Sequence, residues 1–85
     1  MTYRIVLSRQ AKRYFASVPK SIAVRLAAVF QLLEQNSHPV GARQLKGDLE
    51  GLSRMRVGNL RIVYEVLENS QEIHVLRIGP RGDVY

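Results

Sequence analysis

The apolar positions of this chain follow two different periods. Tyr3 to Leu7 (YRIVL) is a short β-branched and aromatic run, which predicts a strand. Ser8 is suited to cap a helix N-terminus, and after it Ala11, Tyr14, Phe15 and Val18 recur at helical spacing. Pro19 ends that helix. A second helix is predicted from about Ser21 to Gln35, with an apolar stripe of Ile22, Leu26, Val29, Phe30 and Leu33; Asn36 and Pro39 close it. Residues 36–51 are polar, with glycines at 41, 47 and 51. That is long for a structureless connection, so the stretch is expected to carry a function or a short extra turn. Period two then returns in three segments, about Leu52–Val57, Leu60–Leu67 and Glu72–Ile78. Gly58-Asn59 makes the first connection a tight hairpin and Asn69-Ser70 marks the second. The predicted order is β-α-α-β-β-β. It describes an α+β domain, residues 1–85, with two N-terminal helices packed on one face of an antiparallel sheet. The other face is left to solvent or to a ligand.

The first hairpin fixes a register. With Gly58-Asn59 as the loop, Val57 faces Leu60, Arg56 faces Arg61, Met55 faces Ile62 and Arg54 faces Val63. Directly opposite residues share a face, so Met55, Val57, Leu60, Ile62, Tyr64 and Val66 are assigned to the core. Arg54, Arg56, Arg61, Val63 and Glu65 fall on the open face. Arg56 and Arg61 then stand with Cβ atoms about 5 Å apart, a like-charge pair that costs stability in the free protein. Such a cluster becomes favourable when an anion binds. The alternative is that the guanidinium groups splay into water and pair with Glu65. A second loop of three residues, Asn69 to Gln71, sets Arg77 opposite Val63 on the open side. A two-residue loop would instead turn that charge inward, at a cost.

Charge sharpens the picture. Lys and Arg total 13 against 7 Asp and Glu, and ten of the 13 are arginine. Residues 1–33 hold six cations (Arg4, Arg9, Lys12, Arg13, Lys20, Arg25) and no acid, while residues 34–85 are balanced at seven and seven. The net charge of +6 therefore belongs to the first third. Arginine suits two-pronged contact with phosphate. The balance points to a polyanionic partner, either nucleic acid or an acidic protein. With no cysteine, disulfide and thiol chemistry are excluded. No apolar run approaches the roughly 20 residues of a membrane span, and the first residues read as fold rather than as a leader, so a cytoplasmic protein is expected. His38 and His74 lack partner ligands, so no metal or other cofactor is expected. GPRG at 79–82 lacks the Gly-Lys-Ser/Thr ending of a phosphate loop. Tyr64 is read as core.

One run joins these features: Leu45, Gly47, Leu49, Gly51, Arg54, Arg56, Gly58, Arg61, Tyr64 and Val66, then Gly79, Arg81, Val84 and Tyr85. In order and spacing it resembles the RelE/ParE superfamily of bacterial and archaeal toxins, and the opening YRIVLSRQAKRYFASVPK resembles that family's first strand and helix. The resemblance implies a microbial RNase-like fold and a type II toxin–antitoxin system, with a cognate antitoxin as partner. The antitoxin complex is expected to bind operator DNA. For the RelE branch the resemblance implies an endoribonuclease that enters the ribosomal A site and cuts mRNA. For the ParE branch it implies action on DNA gyrase without RNA cleavage. Matching the RelE pattern, Arg54 and Arg56 stand where the family often has lysines, Arg61 and Arg81 match arginines, and Tyr85 matches the terminal aromatic. Pro80 stands where many members have His or Lys. With arginine at both 54 and 56, neither position offers a proton acceptor. The implied roles are phosphate clamping by Arg61 and Arg81, assisted by Arg54 and Arg56, with Tyr85 as general base or as a stacking platform. Arg9, Lys12, Arg13, Arg25, Lys46 and Arg77 are the expected RNA-binding cations.

Overall fold

A computed structural model of the protein describes residues 2–80. Its elements are β1 (Arg4–Leu7), α1 (Arg9–Ser17), α2 (Lys20–Gln35), β2 (Arg43–Gln44), a single 3₁₀ turn (Gly47–Leu49), β3 (Ser53–Val57), β4 (Leu60–Leu67) and β5 (Glu72–Pro80). Both predicted helices and all four predicted strands are present. The long polar connection holds the 3₁₀ turn and the two-residue strand β2.

The strands form one sheet in the order β1-β5-β4-β3-β2. Three of its four pairings are antiparallel, but β1 lies parallel to β5, with Arg4 opposite Glu72 and Leu7 opposite Val75. The expectation of an antiparallel sheet is corrected at that edge. The two helices carry the chain from β1 to the opposite edge, and three antiparallel turns from β2 to β5 bring the last strand back beside β1 in the same direction.

The two helices cover one face. Leu26 and Leu33 of α2 and Ala11 of α1 are fully buried against Met55, Val57, Ile62, Tyr64, Ile73, Val75 and Ile78 of the sheet. Phe15 and Phe30 lock the helices together, with ring centroids 5.6 Å apart and planes tilted by 59°. Tyr64 is fully buried, and its phenol donates to the Ser37 carbonyl at 2.8 Å, tying β4 to the chain leaving α2. Burial raises this phenol above its ordinary pKa, with the Ser53 hydroxyl pulling the other way. Leu60 and Val66, expected in the core, are half-buried at its margin.

The β3–β4 register is the expected one, from Val57 opposite Leu60 to Arg54 opposite Val63. Gly58 takes φ +61 at the first central position of the turn, and Asn59 has no positive φ. That is the pattern of a type II′ hairpin, whose twist matches the strands it joins.

The β4–β5 hairpin departs from expectation. Leu67 pairs with Glu72, so the loop spans residues 68–71 rather than 69–71, with Gln71 at φ +55. Continued without interruption, that register would set Arg77 beside Ile62 on the core side. A bulge intervenes: Tyr64 faces Val75, while Val63 faces Arg77, leaving Leu76 without a partner. Ile73 and Val75 point into the core before the bulge and Ile78 after it, while Arg77 stays exposed. The extra residue resolves a conflict between loop length and burial by reversing the faces.

The N-terminus of α1 covers the edge that the bulge leaves open. β1 pairs with β5 only as far as Val75. Beyond it, Ser8 Oγ donates to the Leu76 carbonyl at 2.6 Å and accepts from the Ala11 N–H as the helix cap at 3.1 Å. The Gln10 amide accepts from the Ile78 N–H at 2.9 Å and donates to the Ile78 carbonyl at 2.8 Å. Two side chains thus take the place of the strand backbone that ended at Leu7.

Candidate nucleic-acid interface

The open face of the sheet is divided by charge. Where β1 and β5 begin, Glu72 accepts from Arg4 and from His74, the latter contact being 2.9 Å. These bonds, His74's first and Arg4's second, hold the Glu72 carboxyl below its ordinary pKa. Glu65 stands opposite His74 at the same end. The other end is cationic. Arg56 faces Arg61 across the β3–β4 hairpin, and Arg61 faces Gly79 on β5. One step along, Arg54 faces Val63, which faces Arg77.

Arg54, Arg56, Arg61 and Arg77 are therefore brought together on one surface, as the sequence predicts. Val63, expected on this face, lies there by register, yet it is only 3% exposed and is not part of the helix-side core. The two residues that flank it, Arg54 and Arg77, have apolar stems long enough to shield it while their charged ends remain in water. Arg81 and Tyr85 lie outside the described residues.

Sequence reasoning missed Arg43. Strand β2 is two residues long, too short for any periodic signal, yet it sets Arg43 directly opposite Arg54. The open face so carries two cationic rows: Arg43, Arg54 and Arg77 in one, Arg56 and Arg61 in the other. A groove of about 500 Å³ runs along the first side, lined by Val40, Gly41, Arg43, Arg54, Met55 and Arg56. A second, of about 320 Å³, lies between Arg56, Arg61 and Pro80 at the hairpin. A further cavity, about 670 Å³, is elsewhere. It sits under the 38–53 connection between Lys46, Glu50, Leu52, Val66 and Glu68, and none of the row arginines lines it.

The remaining expected contacts are dispersed. Arg9, Lys12 and Arg13 are exposed on α1, and Lys46 is exposed in the connection before the 3₁₀ turn. None of these belongs to the sheet face that bears the arginine rows. Arg9 and Lys12 stand at the N-terminal end of α1, where no acid is present. The helix dipole disfavours cations there by a few tenths of a kcal/mol each, so α1 carries them against its own stability. Arg25 is exposed on α2, but its guanidinium reaches the hairpin: a Cβ on Gly58 would lie 2.9–3.3 Å from it. Arg25 therefore stands at the rim of the arginine face rather than with the α1 cations.

Chemically, the two rows can hold phosphate oxygens in forked hydrogen bonds and oppose charge that builds on phosphorus. Guanidinium groups stay protonated and cannot accept or supply protons at neutral pH. Among the described residues no cluster of histidine and carboxylate could hold a metal ion, and no helix is long and apolar enough to cross a membrane.

Known proteins share this fold. The curated toxin RelE of Mycobacterium tuberculosis is 31% identical over 84 residues, spanning 98% of this chain and 86% of that protein. The RelE in the archaeal RelE–RelB complex of Pyrococcus horikoshii superposes with a TM-score of 0.80 at 31% identity, covering 98% of this chain and 99% of that one. A YoeB/ParE toxin from Agrobacterium tumefaciens has the same fold at 17% identity, with a TM-score of 0.81 over 92% of this chain and 98% of that one. Residues 5–85 match the family described as the ParE toxin of the type II toxin–antitoxin system parDE. By sequence over almost its whole length, and by fold, the chain belongs to the RelE/ParE superfamily of toxins of type II toxin–antitoxin systems.

Proposed function

We propose that this toxin is a ribosome-dependent endoribonuclease that cuts mRNA in the A site and so stops translation. The observation that carries the reading is the pair Arg56–Arg61, set side by side on the open face with Arg54 and Arg77 around it. Two guanidinium groups side by side on an open face can hold one phosphate by forked hydrogen bonds from both.

In the reaction the 2′-OH attacks the adjacent phosphorus and the bond to the 5′-oxygen breaks, giving a 2′,3′-cyclic phosphate and a 5′-OH. The proton of the 2′-OH passes to a base, and the leaving oxygen gains one. Arg61 and Arg81 clamp the phosphate, helped by Arg54 and Arg56. Tyr85 serves as the base or as a surface on which an RNA base stacks. The leaving oxygen takes its proton from water or from the ribosome. Arg9, Lys12, Arg13, Arg25, Lys46 and Arg77 hold RNA around the reacting bond. The solved RelE–RelB complexes of relatives support a cognate antitoxin as the natural partner, and the toxin–antitoxin complex would bind operator DNA. The protein acts in the cytoplasm, where ribosomes are.

The test is primer extension on mRNA bound to programmed ribosomes. The protein should cut within the A-site codon, and Arg61→Ala should slow single-turnover cleavage by roughly 10²–10³. Intact messages together with induced DNA breaks would overturn the proposal in favour of gyrase.

A further inference from the structure

We infer that Arg43, with Arg54, forms a second phosphate-binding subsite that grips the RNA one phosphate away from the bond being cut. The inference rests on the ribonuclease reading and adds to it a residue and a place on the substrate.

Three observations carry it. Arg43 and Arg54 are opposite one another on β2 and β3, so both guanidinium groups rise from the open face. Neither side chain hydrogen-bonds or ion-pairs with a described residue; the ion pairs Arg4–Glu72 and His74–Glu72 lie at the other end of this face. The pair borders the groove of about 500 Å³ lined also by Val40, Gly41, Met55 and Arg56, Val40 being 99% exposed.

The dimensions give the occupant. Neighbouring strands lie about 4.8 Å apart, so the row from Arg43 to Arg77 crosses three gaps, about 14 Å. Arg54 and Arg56 are two residues apart along β3, about 7 Å. An array of that size exceeds what one phosphate can fill. It fits consecutive phosphates of a single strand, one at Arg56–Arg61 and the next at Arg43–Arg54. The exposed Val40 side chain gives the intervening base an apolar surface to leave water against. An acidic peptide could also meet the arginines. RNA is favoured because the groove continues directly into the arginine pair at the reaction site, so one unbroken strand can occupy both.

The probe is a single-stranded RNA hexanucleotide carrying 2′-O-methyl groups, which removes the attacking hydroxyl. It is titrated against the free protein over a range of salt. Arg43→Ala should weaken binding about fivefold and lower the slope of log affinity against log salt by about 0.7, the release expected for one lost phosphate contact. Arg43→Lys, which keeps the charge, should recover most of the slope. On programmed ribosomes Arg43→Ala should raise KM while leaving kcat within about twofold, in contrast to the loss of kcat in Arg61→Ala. Unchanged affinity and slope in Arg43→Ala would overturn the subsite. So would failure of the wild type to bind the hexanucleotide, or a kcat loss matching Arg61→Ala. An acidic peptide that competes with wild type and Arg43→Ala alike, while RNA binding ignores Arg43, would assign the groove to protein instead. A wild type that binds RNA with the Arg43-dependent slope but never cuts mRNA would keep the subsite and discard the ribonuclease reading. Arg43 is exposed, and Arg43→Gln serves as a second variant should the alanine change disturb β2.

Discussion

Replacing Gln10 by leucine should destabilise the protein far more than its position on a helix surface suggests. Its amide forms two hydrogen bonds with the backbone of Ile78, at 2.8 and 2.9 Å, just past the bulge in β5. Ile78 is 1% exposed, so water cannot replace the lost partners freely. A net loss of about 1 kcal/mol per bond, plus part of the penalty for leaving a buried N–H and C=O unpaired, gives about 2–3 kcal/mol. For a domain of this size that lowers Tm by roughly 10–20 °C. Thermal unfolding followed by circular dichroism measures it, with Arg9→Ala as the exposed neighbour control. Hydrogen exchange at the Ile78 amide should accelerate in parallel. Gln10→Glu isolates the geometry. Its carboxylate can still accept from the Ile78 N–H but has no proton for the Ile78 carbonyl. The protonated acid restores that donor, so its folded-state pKa should be raised. Stability that depends on it is present below the unfolded carboxyl pKa, near 4, and is lost as pH rises through the folded value. A Gln10→Leu variant melting within about 3 °C of wild type would refute the claim that this amide closes the edge of β5. A Gln10→Glu variant with the wild-type pH profile would refute the assignment of donor and acceptor.

Other outcomes follow from the same coordinates. Tyr64→Phe should cost about 1–3 kcal/mol in chemical denaturation, because the Ser37 carbonyl loses its donor. The wild-type phenol, raised by burial, should favour the folded state below the ordinary phenol pKa of about 10 and destabilise it as pH rises beyond; Tyr64→Phe should lack that alkaline component in urea titrations. Glu72 has a lowered pKa, so its contribution is present above the unfolded carboxyl value of about 4.3 and is lost as pH falls through the folded one. Glu72→Gln should therefore flatten the acid limb of the stability profile, and an unchanged limb would show that the bonds from His74 and Arg4 contribute nothing. Charge reversal at Lys12 and Arg13 should weaken ribosome binding most at low salt and reduce its salt slope, as a filter-binding series would show. Unaltered binding would confine the RNA interface to the sheet.

The arginine pair was legible in the sequence because a two-residue turn leaves no freedom of register: Gly58-Asn59 fixes Arg56 against Arg61 whatever surrounds them. The helices and the main strands were legible for a similar reason, since periods of 3.6 and 2 are local properties of the chain. Three features were not. The partner of β1 depends on how two helices carry the chain across the sheet, which no local pattern encodes. The Leu76 bulge arises from a conflict between a four-residue loop and the burial of Ile73, Val75 and Ile78, and it appears only when β4 and β5 are laid together. Arg77 reaches the face predicted for it, but through the bulge and not through the three-residue loop. Arg43 gives no signal at all in a two-residue strand, and it becomes part of the site through its neighbour Arg54. The sequence by itself determined the elements, the first hairpin and the arginines that hairpin aligns. The tertiary structure decided how far the cationic surface extends and what holds its last strand in place, because both depend on contacts between residues distant in the chain.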